Sequence, residues 1–201
     1  MTPEKNMNKG KILICIGILL ILSSIGITIY NKYEDLNAGK QAQEALALLK
    51  EETKKQDNIV NNLSLNESKE MKTININGDE FIGTITIPTI NLELPVMSEY
   101  SYDRLKKAPC RYYGNLFTND LIICAHAYET FFANINKLTQ KDLIIFTDVD
   151  GNHYIYEVLE VEILKPTDVD EMVNNDFDLT LYTCTYDNMN RVTVRCNLIN
   201  E

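Results

Sequence analysis

The sequence predicts a mostly β domain, a closed or nearly closed barrel with short helices, behind an N-terminal membrane-spanning helix. Three observations predict it. An uncharged apolar run fills residues 12–30, and a polar, weakly periodic stretch follows it. From about Gly78 onward, short alternating or wholly apolar segments recur between turn residues.

The apolar run Ile12 to Tyr30 matches the roughly 20 residues a helix needs to cross a bilayer. Lys5, Lys9 and Lys11 precede it, which predicts a cytoplasmic basic tail over 1–11, a signal anchor over 12–30 and the rest of the chain outside the cell membrane. The competing reading is a cleaved signal peptide. The run exceeds the usual ~7–15-residue core of one, and no A-x-A site follows. Either way the remainder lies outside a membrane.

Residues 31–75 read as a helical and flexible stalk. Within it, 35–56 suit a helix, because Leu36, Ala42, Ala45, Leu46 and Leu49 recur at spacings near three and four. The stripe is thin, so this helix either packs lightly on the domain or acts as a spacer. Residues 57–75 are polar and without period, and read as a flexible spacer.

The domain, 76–201, reads as a list of strands. EFIGTITIP (80–88) alternates, with Phe81, Ile85 and Ile87 on one face and Pro88 at its end. NLELPVM (91–97) is a short strand that Pro95 confines to an edge or a bulge. SYDRLKKA (101–108) suits one or two helical turns. NDLIICAHA (119–127) has the continuous apolar centre of a buried strand. ETFFANINKL (129–138) reads as a short helix, and 141–164 as a hairpin turning at Asp150-Gly151. Residues 165–178 form a loop with about one helical turn. DLTLYTC (178–184) and RVTVRCNLI (191–199) are the last strands. Seven or eight strands at this spacing favour a barrel over a βαβ fold. DVDGN (148–152) has a superficial calcium-loop look, but it lacks the later ligands and suits a plain turn better.

Composition narrows the function. A formal net charge of −10 argues against nucleic acid as a partner, and no Gly-rich phosphate loop is present. Five cysteines at 15, 110, 124, 184 and 196, with no CxxC pair, do not suit a disulfide scaffold or a structural zinc site.

Strand alternation puts Thr180, Tyr182 and Cys184 on one face of DLTLYTC. In RVTVRC it puts Arg191, Thr193 and Arg195 opposite an apolar face. Cys184 and Arg191 then meet at the same end of two strands joined by a short loop. A neighbouring guanidinium favours thiolate, so Cys184 is a candidate nucleophile. It needs a proton partner. His126 ends a buried strand and opens a loop, whereas His153 sits beside a hairpin turn. Spacing alone does not bring His126 to Cys184, and a buried, inert cysteine is the competing reading. Cys110, Cys124 and Cys196 fit the inert reading, and Cys15 falls within the apolar run.

LTLYTCTYDNMNRVTV resembles the signature of the sortase family, a TLxTC strand followed by a variable loop and an Arg opening the last strand. ICAHAY resembles that family's histidine segment, and FIGTITIPTINLELPV its opening hairpin. The resemblance, spanning about 80–199, implies an eight-stranded sortase barrel. It implies that Cys184 attacks a sorting-motif carbonyl to form a thioester, that His126 serves as acid and then base, and that Arg191 holds the substrate carbonyl. It also implies surface proteins with a C-terminal sorting motif as substrates, an amine of a cell-wall precursor or protein as acceptor, and no metal or organic cofactor. Arg195 is the runner-up guanidinium. Ala125 stands where many members carry Gly. No second apolar span follows Leu198, and no lid segment is evident before residue 80; neither favours a pilin-polymerising type. Two rival readings stand beside it: a hydrolytic cysteine peptidase of the cell envelope, which uses the same residues with water as acceptor, and a non-enzymatic surface barrel that binds a wall peptide or protein and has no need of Cys184.

Overall fold

The computed structural model describes residues 4–57 and 70–199. It divides into two compact units, residues 1–37 and 38–201.

Helix α1 runs unbroken from Glu4 to Asp57. The periodicity predicts a separate helix over 35–56, but no proline interrupts the chain before it and the two helical stretches are one. In the first unit, the large apolar side chains between Ile12 and Tyr30 are exposed. At ~1.5 Å per residue this stretch spans roughly 28 Å, the thickness of a bilayer's hydrocarbon core. It is the one helix among the described residues long and apolar enough to cross a membrane. The Thr28 hydroxyl donates to the Ser24 carbonyl at 3.0 Å, so it needs no water.

The second unit begins with the rest of α1. Ala38, Ala42, Leu46 and Leu49 form a buried stripe, while Gln43 Nε2 donates to the Glu93 carbonyl at 3.0 Å and Lys50 pairs with the Glu93 carboxylate at 2.7 Å. The expected stalk over 31–75 therefore divides. Its helical part from Ala38 packs on the barrel, residues 58–69 lie outside the described residues, and Ile74–Ile76 forms strand β1.

The other strands are β2 (Asp79–Ile87), β3 (Leu92–Met97), β4 (Cys110–Tyr113), β5 (Leu121–Cys124), β6 (Leu143–Asp148), β7 (His153–Leu164), β8 (Leu179–Cys184) and β9 (Arg191–Leu198). They pair in the order β1-β2-β3-β4-β5-β8-β9-β7-β6, and β6 pairs back onto β2. Strands β2 to β9 thus close an eight-stranded barrel, as expected, and β1 is a three-residue addition to β2. Closure depends on Gly83. A Cβ there would overlap the Thr147 carbonyl oxygen of β6, so a side chain would push the two strands apart.

A bulge between Phe81 and Gly83 alters the expected faces of β2. The extra residue flips the alternation. Ile82, Ile85 and Ile87 enter the barrel core, while Phe81 turns to a second cluster with Leu49, Met97, Cys110 and Cys124. Pro95 sits where β3 pairs only with β2, since β4 meets β3 at the single rung Met97–Cys110. The edge position expected for Pro95 follows from its missing N–H.

Two short helices interrupt the strands, α2 (Tyr102–Leu105), capped by the Ser101 hydroxyl, and α3 (Val169–Val173). The helix expected over 129–138 is instead a run of turns with one 3₁₀ turn at Ile135–Lys137. The Tyr128 carbonyl accepts from both Phe131 and Ala133 N–H, and this tight winding buries the adjacent Phe131 and Phe132 together. A regular helix would point neighbouring residues 100° apart.

Candidate active site

Cys184 ends β8 and Arg191 opens β9, and the two are Cα partners in the last rung of that antiparallel ladder. Directly opposed residues lie about 4.5–5.5 Å apart at Cα, with side chains on one face. Residues 185–190 make the connection tight. Thr185 N–H donates to the Asn190 carbonyl at 2.9 Å and Asn188 N–H to the Thr185 carbonyl at 2.8 Å. Asn188 takes a left-handed φ of 58°, which Asn tolerates well. The Asp187 carboxylate accepts from the Thr185 hydroxyl and Met189 N–H, and these bonds hold its carboxyl below the usual range.

His126 lies two residues past β5. Strands β5 and β8 run parallel, in register from Leu121–Leu179 to Cys124–Tyr182. The same offset carried two residues further sets His126 level with Cys184. The strand ends stay joined there, with Ala125 N–H donating to the Tyr182 carbonyl at 3.2 Å and the Thr183 hydroxyl to the Ala125 carbonyl at 2.8 Å. Adjacent strands lie ~4.8 Å apart. The half-buried imidazole packs edge-on to Tyr102, with ring centroids 5.8 Å apart, and tilted against Tyr128 at 4.9 Å. A thiol, an imidazole and a guanidinium are thereby carried on the adjoining ends of three neighbouring strands.

The other histidine is remote. Leu164 at the end of β7 pairs with Arg191, whereas His153 opens the same strand and is held by Thr147 Oγ1 at 2.9 Å. The strand contour between them is roughly 35 Å.

The second guanidinium is fully engaged. Arg195 is 2% exposed; its Nε donates to Glu162 at 2.7 Å, and its terminal nitrogens donate to Thr180 Oγ1 at 3.0 Å and the Glu171 carbonyl at 2.8 Å. It also lies 5.5 Å from the Phe177 ring. Arg195 therefore ties α3 and its flanks to the barrel. That segment borders a cleft of about 200 Å³ lined by Lys165, Pro166, Asp168, Val169 and Met172 together with Tyr100, Tyr112, Tyr182 and Arg191. These tyrosines escaped the sequence reading. Tyr182 alone had a visible signal, since it shares a strand face with Cys184. Its ring meets Tyr112 edge-on at 5.4 Å, its hydroxyl donates to Cys124 and its burial raises its pKa.

The cysteines divide by environment. All of them are free; Cys184 is half-buried, while Cys110, Cys124 and Cys196 are buried. Burial pushes the Cys110 and Cys124 thiols up to about 12, and Cys196 upward as well. Protonated, enclosed thiols are poor nucleophiles.

The sortase domain family matches residues 85–199, more than half of the chain. The chain belongs to the sortase family, the cysteine transpeptidases that act on sorting-motif substrates. No curated protein matches its sequence. Solved structures share its fold. A Clostridium perfringens sortase D5 transpeptidase is 21% identical with a TM-score of 0.60, covering 80% of this chain and 99% of that one. Sortase A from Corynebacterium diphtheriae is 21% identical with a TM-score of 0.56, covering 82% and 96%. Clostridium perfringens sortase C, solved with the C-terminal cell wall sorting motif, is 22% identical with a TM-score of 0.55, covering 81% and 91%.

Proposed function

We propose that this protein is a membrane-anchored transpeptidase that cuts a sorting-motif peptide through a Cys184 thioester and transfers it to an amine. The observation that carries the reading is the Cys184–Arg191 rung with His126 level on the next strand. Cys184 Sγ attacks the scissile carbonyl. His126 gives a proton to the departing amine, leaving an acyl group on sulfur. Arg191 donates to the carbonyl oxygen as charge builds there. An incoming amine, losing its proton to His126, then attacks the thioester and frees Cys184. The amine belongs to a cell-wall precursor or another protein; water in its place gives hydrolysis.

The cleft beside Arg191, lined by aromatic rings and the α3 segment, suits an extended peptide. A sortase with this fold holds a C-terminal cell wall sorting motif, which makes such a motif on surface proteins the substrate class expected here. The stretch 12–30 anchors the chain in the cell membrane, the basic residues 1–11 stay in the cytoplasm, and the domain of 76–201 works at the outer surface.

The test supplies the chain with a sorting-peptide library and an added amine. A joined product that disappears in Cys184→Ala supports the reading. Cleavage with only hydrolysed product, at saturating amine, favours the envelope peptidase. No cleavage of any peptide favours the binding barrel.

A further inference from the structure

We propose that Cys110 and Cys124 close a disulfide across β4 and β5, separate from the residues assigned to chemistry. The two are Cα partners in an antiparallel ladder. Opposed residues there have Cα atoms about 4.5–5.5 Å apart and side chains on one face, inside the ~4.4–6.8 Å window a disulfide requires. Both side chains lie in the cluster beneath α1 and α2, 0% and 1% exposed. Both thiols are free in this structure: the Cys110 thiol donates to the Ala108 carbonyl at 3.4 Å and Cys124 accepts from the Tyr182 hydroxyl, and the two sulfurs leave these partners when the bond forms.

Register also decides the partner. Cys184 stands one strand over from Cys124 and two residues further along. That offset puts their Cα atoms roughly 8 Å apart, beyond disulfide reach. Cys196 pairs with Leu179 on the opposite, core-facing side.

The site is where a cross-link has most to hold. Strand β4 meets β3 at one rung only and is irregular between Arg111 and Tyr113. A bond at Cys110 staples this thin part of the barrel to β5, the strand that leads into His126. In the closed fold both thiols stay protonated, so oxidation occurs as the domain folds or opens locally. Each thiol gives up one proton and one electron. The acceptor is an external disulfide, which is reduced to two thiols as the Cys110–Cys124 bond forms. The compartment is oxidising if the domain faces outside; the proposal takes that from the reading above, and its test measures neither location nor peptide joining.

The full chain in detergent micelles is incubated with oxidised glutathione, in urea just below its unfolding transition. Free thiols are then alkylated and the chain is digested with trypsin. Cleavage after Arg111 separates the two cysteines, so the bond joins peptides 108–111 and 112–137. The expected result is that linked pair, with a Tm roughly 5 °C or more above that of the reduced chain. Cys110→Ser and Cys124→Ser each remove both signals. Recovery of Cys110 and Cys124 as alkylated peptides, or a Cys124–Cys184 link, overturns the proposal.

Discussion

Cys184 and Arg191 face each other across the last rung of β8 and β9. The rung fixes their Cα spacing through the ladder and puts both side chains on one face. Substitutions at this end of the barrel should therefore change chemistry and leave folding intact. Cys184→Ala and His126→Ala are each expected to lower kcat by roughly 10³-fold or more. Their Tm should stay within a few degrees of wild type, as measured by scanning calorimetry.

Arg191→Lys keeps the charge and loses the planar fork. Steady-state kinetics should show kcat down by about 10²–10³-fold with a modest change in KM. A fully active Arg191→Lys enzyme would contradict the role assigned to this residue.

Arg195 should behave in the opposite way. Removing it leaves Glu162, Thr180 and the Glu171 carbonyl without their buried donor. Glu162 is about one-third exposed, which moderates the loss. Arg195→Ala is expected to cost about 2–3 kcal/mol of stability. In the fraction that folds, KM should rise more than kcat falls, because α3 borders the cleft rather than the sulfur.

Alkaline pH should destabilise the reduced domain. Burial raises Cys110 and Cys124 from 9.0 to about 12. In the window between those values the unfolded chain has lost protons that the folded chain keeps. Stability is thus fully present below pH ~9 and falls as pH rises toward 12. The double variant Cys110→Ala, Cys124→Ala should show a flatter fall in Tm over that range.

Gly83→Ala tests barrel closure. The new methyl group meets the Thr147 carbonyl of β6, and the β2–β6 ladder has to open to admit it. A loss of about 2 kcal/mol or more is expected from chemical denaturation.

Much of this architecture is legible in the chain itself. The strands around Cys184 and Arg191 could be read because their alternation is regular and the loop between them is short. The proximity of His126 could not, since it depends on β5 lying parallel to β8, and no local pattern encodes which strands become neighbours. Phe81 was placed with Ile85 because a one-residue bulge leaves no trace in a period-2 pattern. Arg191, Thr193 and Arg195 read as one polar face, yet Thr193 and Arg195 are almost fully buried. The segment around α3 covers Arg195. Its hold on Arg195 comes largely from backbone carbonyls, which every sequence offers alike.

The most direct test of the central claim is peptide mapping of the species trapped when the full chain meets a cleavable sorting peptide without added amine. The account predicts a thioester of the peptide's N-terminal fragment on Cys184, discharged to a joined product once an amine is supplied. An acyl group on another residue, or cleavage that proceeds undiminished in Cys184→Ala, would contradict it.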